Sequence, residues 1–73
     1  MNKESGEKLK EIRIKNGLTM RQVAKKAKLS ASYICRLEKG VRTPTIKTLD
    51  KLSKVYKIDF IDLIIQVYVG KEN

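Results

Sequence analysis

Apolar residues recur along this chain at helical spacing in five stretches, each bracketed by residues that start or stop a helix. From about Gly6 to Asn16, Leu9 and Ile12 lie one turn apart with Arg13 and Asn16 beside them, and Gly17 supplies a left-handed stop. Thr19 can cap a second helix; Gln22 completes a capping box, and Val23, Ala24 and Ala27 form a narrow face of small residues that lets another helix approach closely. Ser30 caps a third, short helix that Gly40 ends, with Ile34 and Leu37 on one side. Only Lys28 and Leu29 separate that cap from the second helix, so the two short helices are expected to meet at a steep angle. Pro44 forbids helix continuation and Thr45 caps a fourth helix, whose stripe is Ile46, Leu49, Leu52 and Val55 or Tyr56. Asp59 and Asp62 open a fifth helix from about Phe60 to Val69, ahead of Gly70 and a polar tail. The pattern predicts an all-α chain.

Two of these segments break the usual division into an apolar and a charged face. On the third helix, Ser32, Cys35, Arg36 and Lys39 cluster opposite Ile34 and Leu37, a small, mixed, hydrogen-bonding surface instead of paired acids and bases. On the fifth, Phe60, Ile61, Leu63, Ile64, Ile65, Val67, Tyr68 and Val69 put apolar groups on nearly every side, more than one small domain can bury. Either this helix packs against a partner subunit or the segment is a β-branched stretch with helical spacing only by chance.

Composition narrows the partners. The chain has 73 residues, one domain at most, and carries a formal charge of +9 from 17 Lys and Arg against 8 Asp and Glu. The excess is +6 in residues 1 to 28 (nine basic, three acidic), +2 in residues 29 to 45 (three, one) and +1 in residues 46 to 73 (five, four). Polyanions are therefore the first partners to consider, met by the N-terminal half and the middle. The single Cys35 excludes an internal disulfide and favours a reducing, cytoplasmic setting. With no His and one Cys, neither a zinc site nor a nucleophile with its base can be assembled, so no cofactor, metal or catalytic group is expected. The start "MNKESGEKLK" has no apolar core behind its charges and does not read as a signal peptide, and no apolar run is long enough to span a bilayer.

The ordered run "GLTMRQVAKKAKLSASYICRLEKGVRTPT" resembles the helix-turn-helix of the lambda repressor, Cro and Xre family of DNA-binding regulators, and the resemblance extends from about Leu9 to Leu63. It is carried by "GLT" before the second helix, Val23 and Ala24 within it, a Leu and a capping Ser before the third, "YICRLEKG" at the end of the third, and "RTPT" leading into the fourth. The resemblance implies a compact five-helix lambda-repressor-like domain with the motif at about residues 19 to 39 and the third helix in the major groove of duplex DNA. Base-facing positions then fall on Ala31, Ser32 and Arg36, with Cys35 and Tyr33 near by: Arg36 can pair with guanine O6 and N7, Ser32 can bond several bases, and Ala31 can touch a thymine methyl. Tyr33 is expected to pack its ring inward with its polar tip outward. Phosphate positions fall on Thr19 and the backbone behind it, Arg21, Gln22, Lys39, Arg42 and Thr43, with Lys47 a weaker candidate. Lys25, Lys26 and Lys28 read as a solvated face.

Arg13 and Glu38 match positions that form an ion pair in this family, which would orient the third helix. Two positions depart from the family's habit. Lys28 stands where the turn between the motif helices usually has Gly, so a left-handed backbone there would cost roughly 1 kcal/mol. Met20 stands where Gln often contacts phosphate, leaving Arg21 or Gln22 to replace it. The expected function is sequence-specific regulation of transcription by a homodimer on a two-fold operator, through Ile61, Ile64, Ile65 and Tyr68 of the fifth helix; the rival is an antitoxin or adaptor whose fifth helix grips another protein.

Overall fold

The computed structural model describes residues 3–69, and its elements follow the order α1 (Lys3–Lys15), α2 (Met20–Ala27), α3 (Ala31–Glu38), α4 (Ile46–Tyr56) and α5 (Phe60–Ile64), with α5 running on as a π-helical turn over Ile65–Val69. There is no strand among the described residues, and the expected stop at Gly70 lies outside them. Each helix from α2 onward begins on a side-chain cap. The Gln22 backbone N–H donates to Thr19 Oγ1 at 3.1 Å while Gln22 Oε1 accepts from the Thr19 N–H at 2.8 Å, closing the capping box. Ser30 accepts from Tyr33 N, Thr45 from Thr48 N and Asp59 from Ile61 N, each at 3.1 Å.

Four helices end alike. Beyond the ends of α1, α2, α3 and α4, Gly17, Lys28, Gly40 and Lys57 take left-handed backbone conformations with φ of 70, 59, 78 and 57°. The next residue's N–H turns back to a carbonyl five residues earlier: Leu18 to Arg13, Leu29 to Ala24, Val41 to Arg36 and Ile58 to Ser53. Glycine bears this conformation freely at two of the four positions, whereas Lys28 and Lys57 each accept a cost of about 1 kcal/mol. The left-handed turn at Lys28 keeps the link between α2 and α3 tight without glycine.

The core gathers one stripe from every helix: Leu9 and Ile12, then Val23, Ala24 and Ala27, Ile34 and Leu37, Leu49, Leu52 and Tyr56, and finally Leu63 and Val67. Burying each large aliphatic side chain contributes about 1.5–3 kcal/mol, so this set dominates the folding energy. α1 packs on α3 and on the π-helical turn, α2 on α3 and α4, and α4 on α5.

Three local expectations are corrected. α1 begins at Lys3, so Gly6 lies inside it instead of opening it. A Cβ at Gly6 would come within 2.5 Å of the Glu38 carbonyl oxygen and 2.7 Å of that of Leu37, and the missing side chain is what lets α1 cross the end of α3 so closely. Ile46 leaves the α4 stripe and is 65% exposed, because the buried position in the first turn goes to Thr48, satisfied by hydroxyls of Thr45 and Tyr33 at 3.1 Å each. The fifth helix is helical as read, yet its second half widens into the π register; Ser5 Oγ donates to the Val67 carbonyl at 2.6 Å and ties that turn to α1.

Candidate nucleic-acid interface

α3 is oriented from both ends. At its C-terminal end Arg13 Nε donates to Glu38 Oε2 at 2.6 Å and a terminal nitrogen to Oε1 at 3.0 Å, a two-pronged pair, while the other terminal nitrogen donates to the Leu18 carbonyl at 2.9 Å. One guanidinium thus joins α1, the loop before α2 and the end of α3. The pair is shielded, and its hydrogen bond to Glu38 raises the Arg13 pKa against the opposing effect of burial. At the N-terminal end the Tyr33 hydroxyl meets Thr48 Oγ1 and Thr48 meets Thr45, so the first turns of α3 and α4 are laced together. The expectation of an outward polar tip on Tyr33 is therefore corrected: the hydroxyl turns to Thr48, whose buried oxygen needs a partner.

Between these anchors Ile34 and Leu37 are buried, at 2% and 1% exposure, which turns the opposite side of α3 outward. Ser32, Arg36 and Lys39 are exposed there; Ala31, Tyr33 and Cys35 are half-buried. Ser32 Oγ lies 3.3 Å from Ser30 Oγ, a contact that still leaves the hydroxyl at the surface. The loop after α3 is held by the Arg36 carbonyl, which accepts from both Val41 N at 3.0 Å and Arg42 N at 3.3 Å. Arg42 and Thr43 are exposed in that loop, as are Thr19, Arg21 and Gln22 at the start of α2, where the first backbone N–H groups of the helix carry partial positive charge. Thr19 and Gln22 are already engaged with one another in the capping box, so each has only its remaining hydroxyl or amide N–H to offer.

Sequence reading missed Val41 and placed Ile46 on the buried stripe. They are 68% and 65% exposed and flank the loop that carries Arg42 and Thr43. The sequence held no signal for Val41, since an apolar residue follows each of the four left-handed caps; Leu18, Leu29 and Ile58 pack against the core, and Val41 does not. Of the expected dimer residues, Ile61, Ile65 and Tyr68 point outward at 58%, 45% and 45% exposure, whereas Ile64 is half-buried and packs against the core with Leu63 and Val67. Tyr68 is anchored by its hydroxyl, which donates to the Pro44 carbonyl at 3.2 Å.

Two short helices joined by a tight left-handed turn, the second with a polar outer face, define the class of DNA-binding helix-turn-helix proteins. The chain belongs to that family, in its Xre and lambda-repressor form: a family model described as Helix-turn-helix matches residues 9–63. The HTH-type transcriptional regulator DdrOP3 of Deinococcus deserti is 36% identical over 58 residues, covering 80% of this chain and 45% of that protein, so the chain spans under half the relative's length. Among solved structures, the restriction-modification controller protein C.AhdI from Aeromonas hydrophila is 28% identical with a TM-score of 0.78, over 82% of this chain and 91% of that one. The N-terminal DNA binding domain of SinR from Bacillus subtilis is 26% identical with a TM-score of 0.76, over 86% and 93%. The fold and family are those of DNA-binding transcriptional regulators.

Proposed function

We propose that this chain reads duplex DNA by sequence through α3 and regulates transcription as a homodimer. The observation that carries the reading is the split of α3: Ile34 and Leu37 are locked into the core while Ser32 and Arg36 stay exposed on a helix braced at both ends. In this reading Arg36 pairs with guanine, Ser32 bonds a neighbouring base, and Ala31, with Cys35 and Tyr33 beside it, lines the groove. Thr19, Arg21, Gln22, Lys39, Arg42 and Thr43 hold phosphates and supply salt-dependent affinity. Similarity to SinR, solved in complex with DNA, supports the same assignment.

Ile61, Ile64, Ile65 and Tyr68 are the proposed dimer surface, and two copies would meet half-sites roughly 34 Å apart. A cytoplasmic location belongs to the same proposal; no helix among the described residues is long and apolar enough to cross a membrane. The exposed apolar C-terminal segment also favours a second reading, in which it grips a different protein; SinR has been solved in a complex with SinI.

Selection of bound DNA from a random pool at moderate salt tests the first reading. The wild type is expected to enrich one motif and Arg36→Ala to lose about 1–3 kcal/mol of discrimination at a guanine in it. Enrichment of no motif would overturn sequence recognition, and an unchanged motif with the variant would overturn the role of Arg36. Sedimentation at micromolar concentration tests the dimer: a monomer with and without DNA would end that assignment.

A further inference from the structure

We propose that a groove lined by lysines, between the C-terminal ends of α2 and α4, is a second docking site, for an acidic polypeptide segment that carries an apolar side chain. The proposal goes beyond DNA reading and does not rest on it. Lys26 and Lys28 from the end of α2 face Lys51, Lys54 and Lys57 of α4 across a groove of about 560 Å³. Half-buried Val55 and the methylene stems of the lysines supply apolar surface inside it, Ala27 beneath them being almost wholly buried, and no carboxylate is among its described lining residues. Lys51 and Lys54 lie three residues apart, about 4.5 Å along the axis of α4, and Lys57 follows on the left-handed cap just beyond it, so successive carboxylates of a bound segment have cations to meet.

A plainer explanation exists for some of these charges, since cations near a helix C-terminus complement its dipole. It does not reach Lys51, which lies in the middle of α4, and it needs far fewer than five lysines. The backbone adds an independent observation. Lys28 and Lys57 occupy left-handed positions that glycine would fill without strain, and both of these non-glycine exceptions line this one groove. Lys54 pairs with Asp50 at 3.3 Å, in an exposed and therefore weak pair.

The groove opens at the C-terminal ends of α2 and α4, away from the Thr19 end of α2 assigned to phosphate, with Lys28 the lining residue nearest to Ala31 in sequence. Lys57 is about 18 Å along the helix axis from the Thr45 cap of α4, and Lys28 about 14 Å from the Thr19 cap of α2. A nucleic-acid duplex could set phosphates on the lysine rims, yet it offers nothing apolar to cover Val55 and the lysine stems. An acidic peptide with one aliphatic side chain satisfies both rims and floor, which decides between the two polyanions.

The test uses the full chain and a fluorescein-labelled peptide of two Glu-Glu-Leu-Glu-Glu repeats, followed by anisotropy at low and physiological salt. Saturable binding is expected, several-fold tighter than for the same peptide with serine in place of leucine. Lys51→Gln with Lys54→Gln should weaken it about tenfold. The pair Lys28→Gly and Lys57→Gly should weaken it similarly while raising the melting temperature, so that lost binding is not lost folding. The proposal is overturned by no saturation up to about 1 mM, by equal affinity for the serine peptide, or by affinity unchanged in both variants. Displacement of the peptide by equimolar random-sequence duplex would assign the groove to nucleic acid instead. A change in the chain's own association state in these variants would assign it to a second copy.

Discussion

Arg13→Met tests how α3 is held. The change removes two donations to Glu38, whose side chain is only 3% exposed, and one to the Leu18 carbonyl. A carboxylate left uncompensated at that depth costs about 3 kcal/mol, and an orphaned carbonyl about 1 kcal/mol more. The sum, about 4 kcal/mol, is a large share of the 4–11 kcal/mol or so that a domain of this length possesses. It corresponds to a fall in melting temperature on the order of 20 °C. Glu38→Leu should cost less, because the guanidinium keeps its bond to Leu18 and, at 11% exposure, some access to water. The double change Arg13→Met with Glu38→Leu leaves no buried charge and should cost roughly 1–2 kcal/mol, less than either partner's removal summed with the other. Urea unfolding of the four proteins closes the cycle. Single changes that each cost under about 1 kcal/mol, or a double change equal to the sum of the singles, would refute the claim that this pair is a coupled, shielded brace.

Two glycines separate strain from sterics. Gly17→Ala should cost about 1 kcal/mol from its left-handed backbone alone, since nothing lies within 4 Å of the added methyl, whereas Gly6→Ala should cost about 1–3 kcal/mol or more by driving Cβ into two backbone carbonyls. Equal, small losses in thermal unfolding would contradict the close crossing of α1 and α3. Burial pushes the Tyr56 hydroxyl above the usual tyrosine range of about 10, with Glu38 adding to the effect and Arg13 opposing it. The folded pKa is the higher one, so the stability from this group is complete below about pH 10 and is lost as pH rises beyond it. Stability measured near pH 9 and pH 11 should fall further in the wild type than in Tyr56→Phe; parallel losses would show that Tyr56 is not shielded.

Much of the helical framework was legible because its signals are local. A cap works through an N–H two or three residues away, and a left-handed stop through a carbonyl four or five residues back; Thr19, Ser30, Thr45, Asp59, Gly17 and Gly40 each act within that range. Periodicity also separated Ile34 and Leu37 from the outer side of α3, since 3.6 residues per turn leaves no other arrangement once one side is buried. Lys57 shows the limit of that reading, because a left-handed cap made by lysine carries no residue-type signal, and Lys28 was legible only through the family resemblance.

Other features needed the tertiary structure. The close approach that explains Gly6 spans 32 residues, the Ser5 bond to Val67 spans 62, and the lysine groove brings together the ends of α2 and α4. Tyr33 turned inward because Thr48, fifteen residues on, arrived beside it as a buried hydroxyl in need of a partner. The amino-acid sequence by itself determined where helices start, stop and show an apolar face, since those choices are made over one or two turns of chain. Only packing decided which backbone could approach another, which polar atom had to be satisfied, and which charges became neighbours, because distances between separate elements are not written in any local stretch.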